Sequence, residues 1–195
     1  MKKALSVCCL LLTSFGASAG YSISASAGKS FNQSLTTKAG LKIELEDSNH
    51  FAFSIDKTLD SARYGLYYSS TTTDMKAHAN QEIDMQYLLF QSAVDVPLST
   101  HFNSYVGAQL GVNHISNNFT PSDTYFASGL FAGVEYLITP QARLLFETRW
   151  LATIVNNASK VSCSAPAAED QGCLWHFDGD VLNQFQTSVG FSYRF

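Results

Sequence analysis

The last thirteen residues, Asn183 to Phe195, constrain this chain more than any other stretch. Odd positions carry Phe185, Val189, Phe191, Tyr193 and Phe195, whereas even positions carry Gln184, Gln186, Ser188, Ser192 and Arg194. Neighbouring side chains of a strand point to opposite faces, so this alternation makes one greasy face and one polar face. A strand that ends on aromatics and keeps a whole apolar face is what a lipid-embedded barrel requires of its closing strand.

The amino terminus agrees with that destination. Met1-Lys2-Lys3 precedes an apolar run from Ala4 to Leu12, and Ala17-Ser18-Ala19 offers an A-x-A cleavage site before Gly20. Residues 1–19 therefore read as a cleaved secretory signal and 20–195 as one outer-membrane barrel domain. Cys8 and Cys9 would leave with the signal; Val7 before Cys8 is too large for a lipoprotein site. Loss of Lys2 and Lys3 takes the 12 basic residues to 10 against 16 acidic ones, a net charge of 10 − 16 = −6. An acidic chain is a poor nucleic-acid binder, so no nucleic-acid partner is expected. No apolar run long enough for a spanning helix follows Gly20. The remaining Cys163 and Cys173 read as a disulfide closing a local loop in an oxidising compartment, the metal reading being weaker without a second cysteine pair.

Seven further segments alternate in the same way. The first spans 21–31, with Tyr21, Ile23, Ala25 and Ala27 on one face. A long second segment from Leu41 to Asp56 puts Leu41, Ile43, Leu45, Phe51, Phe53 and Ile55 on the apolar side. The third, 63–72, turns Tyr64, Leu66 and Tyr68 outward and Arg63, Gly65, Tyr67 and Ser69 inward. The fourth begins with Ile83, Met85 and Tyr87 outward and Asp84 and Gln86 inward, then switches parity to Leu88, Phe90 and Val94, which predicts a β-bulge near 87–89. The fifth carries Val106, Ala108, Leu110 and Val112 outward, followed on that face by His114 and Ser116. The sixth shows Phe126, Leu130, Ala132, Val134 and Tyr136 outward, and the seventh Leu144, Phe146, Trp150, Ala152 and Ile154. Short turns alternate with longer connections, the longest being 156–182. The pattern predicts an all-β fold, an eight-stranded antiparallel transmembrane β-barrel with both ends periplasmic.

A soluble sandwich would spread its charges over solvent. Here Arg63, Asp84, Glu135, Arg143, Glu147, Arg149 and Arg194 fall on polar faces and are expected to pair inside a plugged polar core. A Lys or Arg facing lipid at mid-membrane would cost about 2–4 kcal/mol, and Lys29 is expected near the outer rim instead. On Arg63 to Thr72, Tyr105 to Gly111, Arg143 to Trp150, the Cys163 and Cys173 loop and Phe185 to Phe195, the chain resembles the small eight-stranded outer-membrane proteins of the OmpA/OmpX-like kind. Ser188, Gly190, Tyr193 and Phe195 are similar to the terminal signal read by the barrel assembly machinery. The resemblance implies an outer-membrane location, with lipid and lipopolysaccharide as surroundings and no cofactor; it assigns no activity to a residue.

Candidate chemistry is thin. His114-Ile115-Ser116-Asn117 is similar to the His-x-Ser-Asn segment of outer-membrane lipid A deacylases, and residues two apart share a strand face. No acid stands at matching height on the next strand, Asp123 being the nearby one, so the pair reads first as a bland rim histidine at the lipid headgroup level with its neighbour. Glu169, Asp170, Asp178 and Asp180 of the last connection, against Lys160, could share a divalent cation, yet they lack a full calcium-loop pattern. Trp175, His176 and Phe177 could anchor a surface ligand or continue an aromatic belt. His50, His78 and His101 show no ligand spacing, and eight strands leave an interior that side chains fill. The expected function is thus a structural or surface-interaction role through loop 156–182, with a lipid A-modifying esterase using Ser116 and His114 as the alternative.

Overall fold

The computed structural model describes residues 20–33, 35–36, 42–43, 45–75, 78–117, 122–155 and 181–195. The expectations for the signal segment, for Cys163 and Cys173, and for the acidic and aromatic residues of 156–180 lie outside these residues.

Among the described residues ten strands form in chain order: β1 (Tyr21–Asn32), β2 (Leu35–Thr36), β3 (Lys42–Ile43), β4 (Ser48–Leu59), β5 (Ala62–Met75), β6 (His78–Pro97), β7 (Phe102–Asn117), β8 (Asp123–Leu137), β9 (Ala142–Ile154) and β10 (Val181–Arg194). All except the small β2–β3 ladder join one closed antiparallel barrel of eight strands. The terminal stretch closes the ring, because β10 pairs with β1 from Ser22↔Arg194 to Asn32↔Gln184. Its last residue is fastened too: the Phe195 N–H donates to the Tyr21 carbonyl at 2.8 Å, and the Gly20 N–H donates to the Phe195 carbonyl at 3.2 Å.

The register fixes the shape. Register partners lead from Phe31 through Phe185, Trp150, Leu130, Ala108, Ser92, Tyr64 and Lys57 back to β1 at Tyr21, ten residues from the start. With about 3.3 Å of rise per residue and about 4.8 Å between strands, a shear of ten over eight strands tilts the strands by about 40°. Outward positions are apolar along most of every barrel strand, from Phe53 and Ile55 to Val189 and Phe191. Tyr21, Tyr64, Phe102, Tyr136 and Tyr193 ring one end, where the Phe102 and Tyr136 rings lie 5.2 Å apart and Tyr193 and Phe195 5.1 Å apart. That end also carries the short connections, including Asp60-Ser61, where Asp60 takes φ 47°. An exposed apolar band with an aromatic girdle and short turns marks the periplasmic side of a transmembrane barrel.

Two expectations need correction. The fourth strand has no bulge at 87–89: β6 pairs without a break with β7 from Ile83↔Asn117 to Pro97↔Asn103, and its irregularity lies at the far end, opposite Asp74 and Met75. With no extra residue the parity cannot switch, so Met85, Tyr87 and Leu89 point into the lumen and Asp84 and Gln86 point out. The second segment is not one long strand either. Leu45 is buried, and the backbone of Glu46 steps across to β5, its N–H donating to the Asp74 carbonyl at 2.9 Å. β4 begins only at Ser48.

Candidate functional site

Among the described residues the lumen holds four carboxylates, Asp56, Asp95, Glu135 and Glu147, and four guanidinium groups, Arg63, Arg143, Arg149 and Arg194, so these charges balance. At the periplasmic end Glu135 accepts from Arg63 at 2.6 Å and from Arg143 at 2.7 Å, while Arg63 also grips Asp95. Arg63 lies over the Tyr105 ring, 4.2 Å from its centroid. Tyr105 donates its hydroxyl to Glu147 at 2.8 Å, and Glu147 accepts from Arg149 at 2.5 Å. Gly133 makes this reach possible, because a Cβ there would stand 2.4 Å from the Tyr105 hydroxyl oxygen.

Arg149 is the hub. It donates to Gln109 and, at 2.9 Å, to Gln91, and its guanidinium is stacked 3.6 Å from the Tyr67 ring centroid and 4.4 Å from that of Phe131. Gln91 in turn donates to Asp56 at 2.7 Å. Above it the bonds continue through Tyr67, Gln186, Gln184 and Asn32, the last donating to the Glu46 carbonyl at 2.9 Å. A planar guanidinium with several fixed donors suits this position, since each buried charge must be matched by a partner. The cavity between Asp56, Arg63, Tyr105, Glu147 and Arg149 measures about 20 Å³, room for about one water.

The outer half of the lumen departs from the expected polar core. Met85, Tyr87, Leu89, Ala127, Leu151, Val155 and Leu182 form a buried apolar cluster there, with Ile83 and Ile115 packed against it. Among the described residues the lumen is thus filled by an ion-paired polar network below and, above it, by this apolar cluster beside the Gln186, Gln184 and Asn32 chain. His50, also in this half, shares its Nδ1 with the Ser30 hydroxyl at 3.1 Å.

His114 and Ser116 do lie on the outward face at the outer rim, as expected from their spacing. The His114 Nδ1, however, meets the Thr124 hydroxyl at 2.9 Å, so a neutral group stands where a triad would place an acid. Asp123 instead is a register partner of Ile115 and accepts from the Tyr125 hydroxyl at 3.3 Å. The acid at the right height is Asp84, the register partner of Ser116, which accepts from Thr72 at 2.5 Å. A carboxylate beside the hydroxyl rather than behind the imidazole can hold Ser116 but does not orient His114 as a base. The outward position of Asp84 was legible in the even parity of Leu88, Phe90, Val94 and Val96 carried back along β6.

No family model and no curated protein matches the chain. Among solved structures, it is similar to Neisserial surface protein A, at TM-score 0.60 and 16% identity, over 91% of this chain and 98% of that one. It is also similar to the outer membrane protein OprG from Pseudomonas aeruginosa, at TM-score 0.58 and 16% identity over 91% and 96% of the two chains. This chain has the fold of the outer-membrane β-barrels. The small eight-stranded OmpA/OmpX-like architecture expected from the sequence is the one found. With its apolar band and aromatic girdle facing outward, the barrel resides in the outer membrane. The barrel further resembles the outer membrane protease OmpT from Escherichia coli at TM-score 0.50 and 11% identity, a likeness of fold alone.

Proposed function

We propose that this barrel is a sealed scaffold that acts at the cell surface, through what its strands present outside the lumen, rather than by passing solutes. The observation that carries the reading is the doubly closed interior: the network around Arg149 and the cap around Met85, Tyr87 and Leu151 leave the strands a rigid wall. Between β9 and β10, residues 155–180 are the longest connection on the outer side, shorter by two residues at its far end than the alternation predicted, and a Cys163–Cys173 disulfide would tie that loop for recognition. The terminal Ser188, Gly190, Tyr193 and Phe195 serve, on this reading, as the signal for the assembly machinery.

The test is a binding panel on whole cells that display the wild-type protein or a variant lacking residues 164–172. The variant is expected to keep a heat-shifted band on gels, the mark of a folded barrel, and to lose binding to host-cell or matrix ligands. Equal binding by both would mean that residues 164–172 take no part in recognition. The alternative reading of Ser116 and His114 as a lipid A esterase has its own check in the same cells. Because His114 is turned toward Thr124, Ser116→Ala is expected to leave the lipid A acyl profile unchanged. An acyl chain retained only in the Ser116→Ala strain would reverse that conclusion.

A further inference from the structure

On the outside wall, at the outer end of β1, β4 and β5, lies an open cleft of about 390 Å³. Its size falls within the range of small-ligand sites. It is a built feature. The Glu46 carbonyl accepts from Asn32 at 2.9 Å and from Thr73 at 2.7 Å, while its N–H is bonded to Asp74, so the upper lip is pinned to both flanking strands. Ser48 and Thr71, joined at 2.8 Å, close the back wall.

The cleft has a vertical order of chemistry. Lys29 is exposed and stands eight positions along β1 from Tyr21, which at the strand tilt lifts it about 20 Å above the periplasmic girdle. That is about 5 Å below the outer edge of an apolar band about 25 Å tall, a gap that the long lysine side chain spans to reach the lipid headgroups. Beneath it Phe51 is 71% exposed toward lipid. Asn49, Ser70 and Thr72 lie beside Lys29, on the same outward face. The acids Glu46, Asp47 and Asp74 sit farther up, at the solvent side. Among the described residues Lys29 forms no ion pair.

We propose that this cleft binds the headgroup of a phosphorylated glycolipid of the outer leaflet, with the phosphate on Lys29, sugar hydroxyls donating to Asp74 and its acidic neighbours, and the acyl chains running down over Phe51. An ammonium at headgroup depth is matched by a phosphate, and carboxylates above it accept hydrogen bonds from sugar hydroxyls. The order of charges thus selects a sugar phosphate over a simple anionic lipid.

The test is a titration of the purified, folded protein and its Lys29→Gln and Asp74→Asn variants, by native mass spectrometry, with bisphosphorylated lipid A, fully dephosphorylated lipid A, phosphatidylglycerol and inorganic phosphate. Both substitutions fall on exposed side chains, and the heat-shifted band confirms that each variant is folded. Lys29→Gln is expected to weaken bisphosphorylated lipid A about tenfold, the loss of one charge-assisted contact, and to leave dephosphorylated lipid A unaffected. Asp74→Asn is expected to weaken both lipid A forms several-fold. Equal binding of bisphosphorylated lipid A by wild type and Lys29→Gln would overturn the proposal. So would phosphatidylglycerol binding as tightly as lipid A, which would mean a belt for any anionic lipid, or displacement of lipid A by inorganic phosphate at millimolar concentration, which would mean a free-phosphate site.

Discussion

At the scale of single residues, the interior depends on Arg149. It joins Glu147, Gln109 and Gln91 and is sandwiched between two aromatic rings. Replacing it by Ala leaves Glu147 with a buried charge and no guanidinium, which costs about 3–5 kcal/mol. Denaturant unfolding of the lipid-reconstituted variant is expected to show that loss, and a change under about 1 kcal/mol would mean the pair is not buried as described. The inward direction of Arg63, Glu135, Arg143, Glu147 and Arg149 was legible in strand alternation. Which charge meets which was not. Arg63 and Glu135 lie 72 residues apart, and their meeting follows from the shear of the closed ring, which no single strand carries. The orientation of His114 by Thr124 was hidden for the same reason, since it depends on the register between β7 and β8.

At the scale of the element, β10 and β6 mark the two extremes. In β10 the inward positions from Gln184 to Arg194 are polar apart from Gly190, so its two faces, its pairing partner and its closing role could be read directly. In β6 the outer half is apolar on the inner face, and polar Asp84 and Gln86 stand on the outer face above the lipid band. Greasy residues there read as membrane-facing, although they cap the lumen, and the apparent change of parity reads as a bulge. The unbroken register with β7 makes a discriminating pair of substitutions. Tyr87→Lys would bury an unpaired ammonium in the apolar cap and is expected to prevent assembly of folded barrel, while Gln86→Lys, one position away but outward at the rim, is expected to be nearly silent. The amount of heat-shifted protein in isolated membranes reads both. Equal yields would favour the bulged strand.

At the scale of the whole molecule, eight strands with a shear of ten make a cylinder narrow enough for side chains to fill. The ion-paired part of the polar network occupies the periplasmic half and the middle, and in the outer half the apolar cluster shares the lumen with Gln184, Asn32, Asn113 and His50. Fold, membrane location and strand number were legible because lipid enforces one apolar parity on every strand. The apolar cap was not, because nothing in a local pattern separates a residue greasy toward lipid from one greasy toward its own lumen. The cleft at Lys29 was equally hidden, since it forms where β1, β4 and β5 end side by side. A sealed cylinder can work only through its outer surfaces, and that claim is tested most directly by the conductance of the purified, folded protein in a planar lipid bilayer. A filled lumen predicts a current indistinguishable from that of the bare bilayer; steady, ohmic single-channel steps would contradict it.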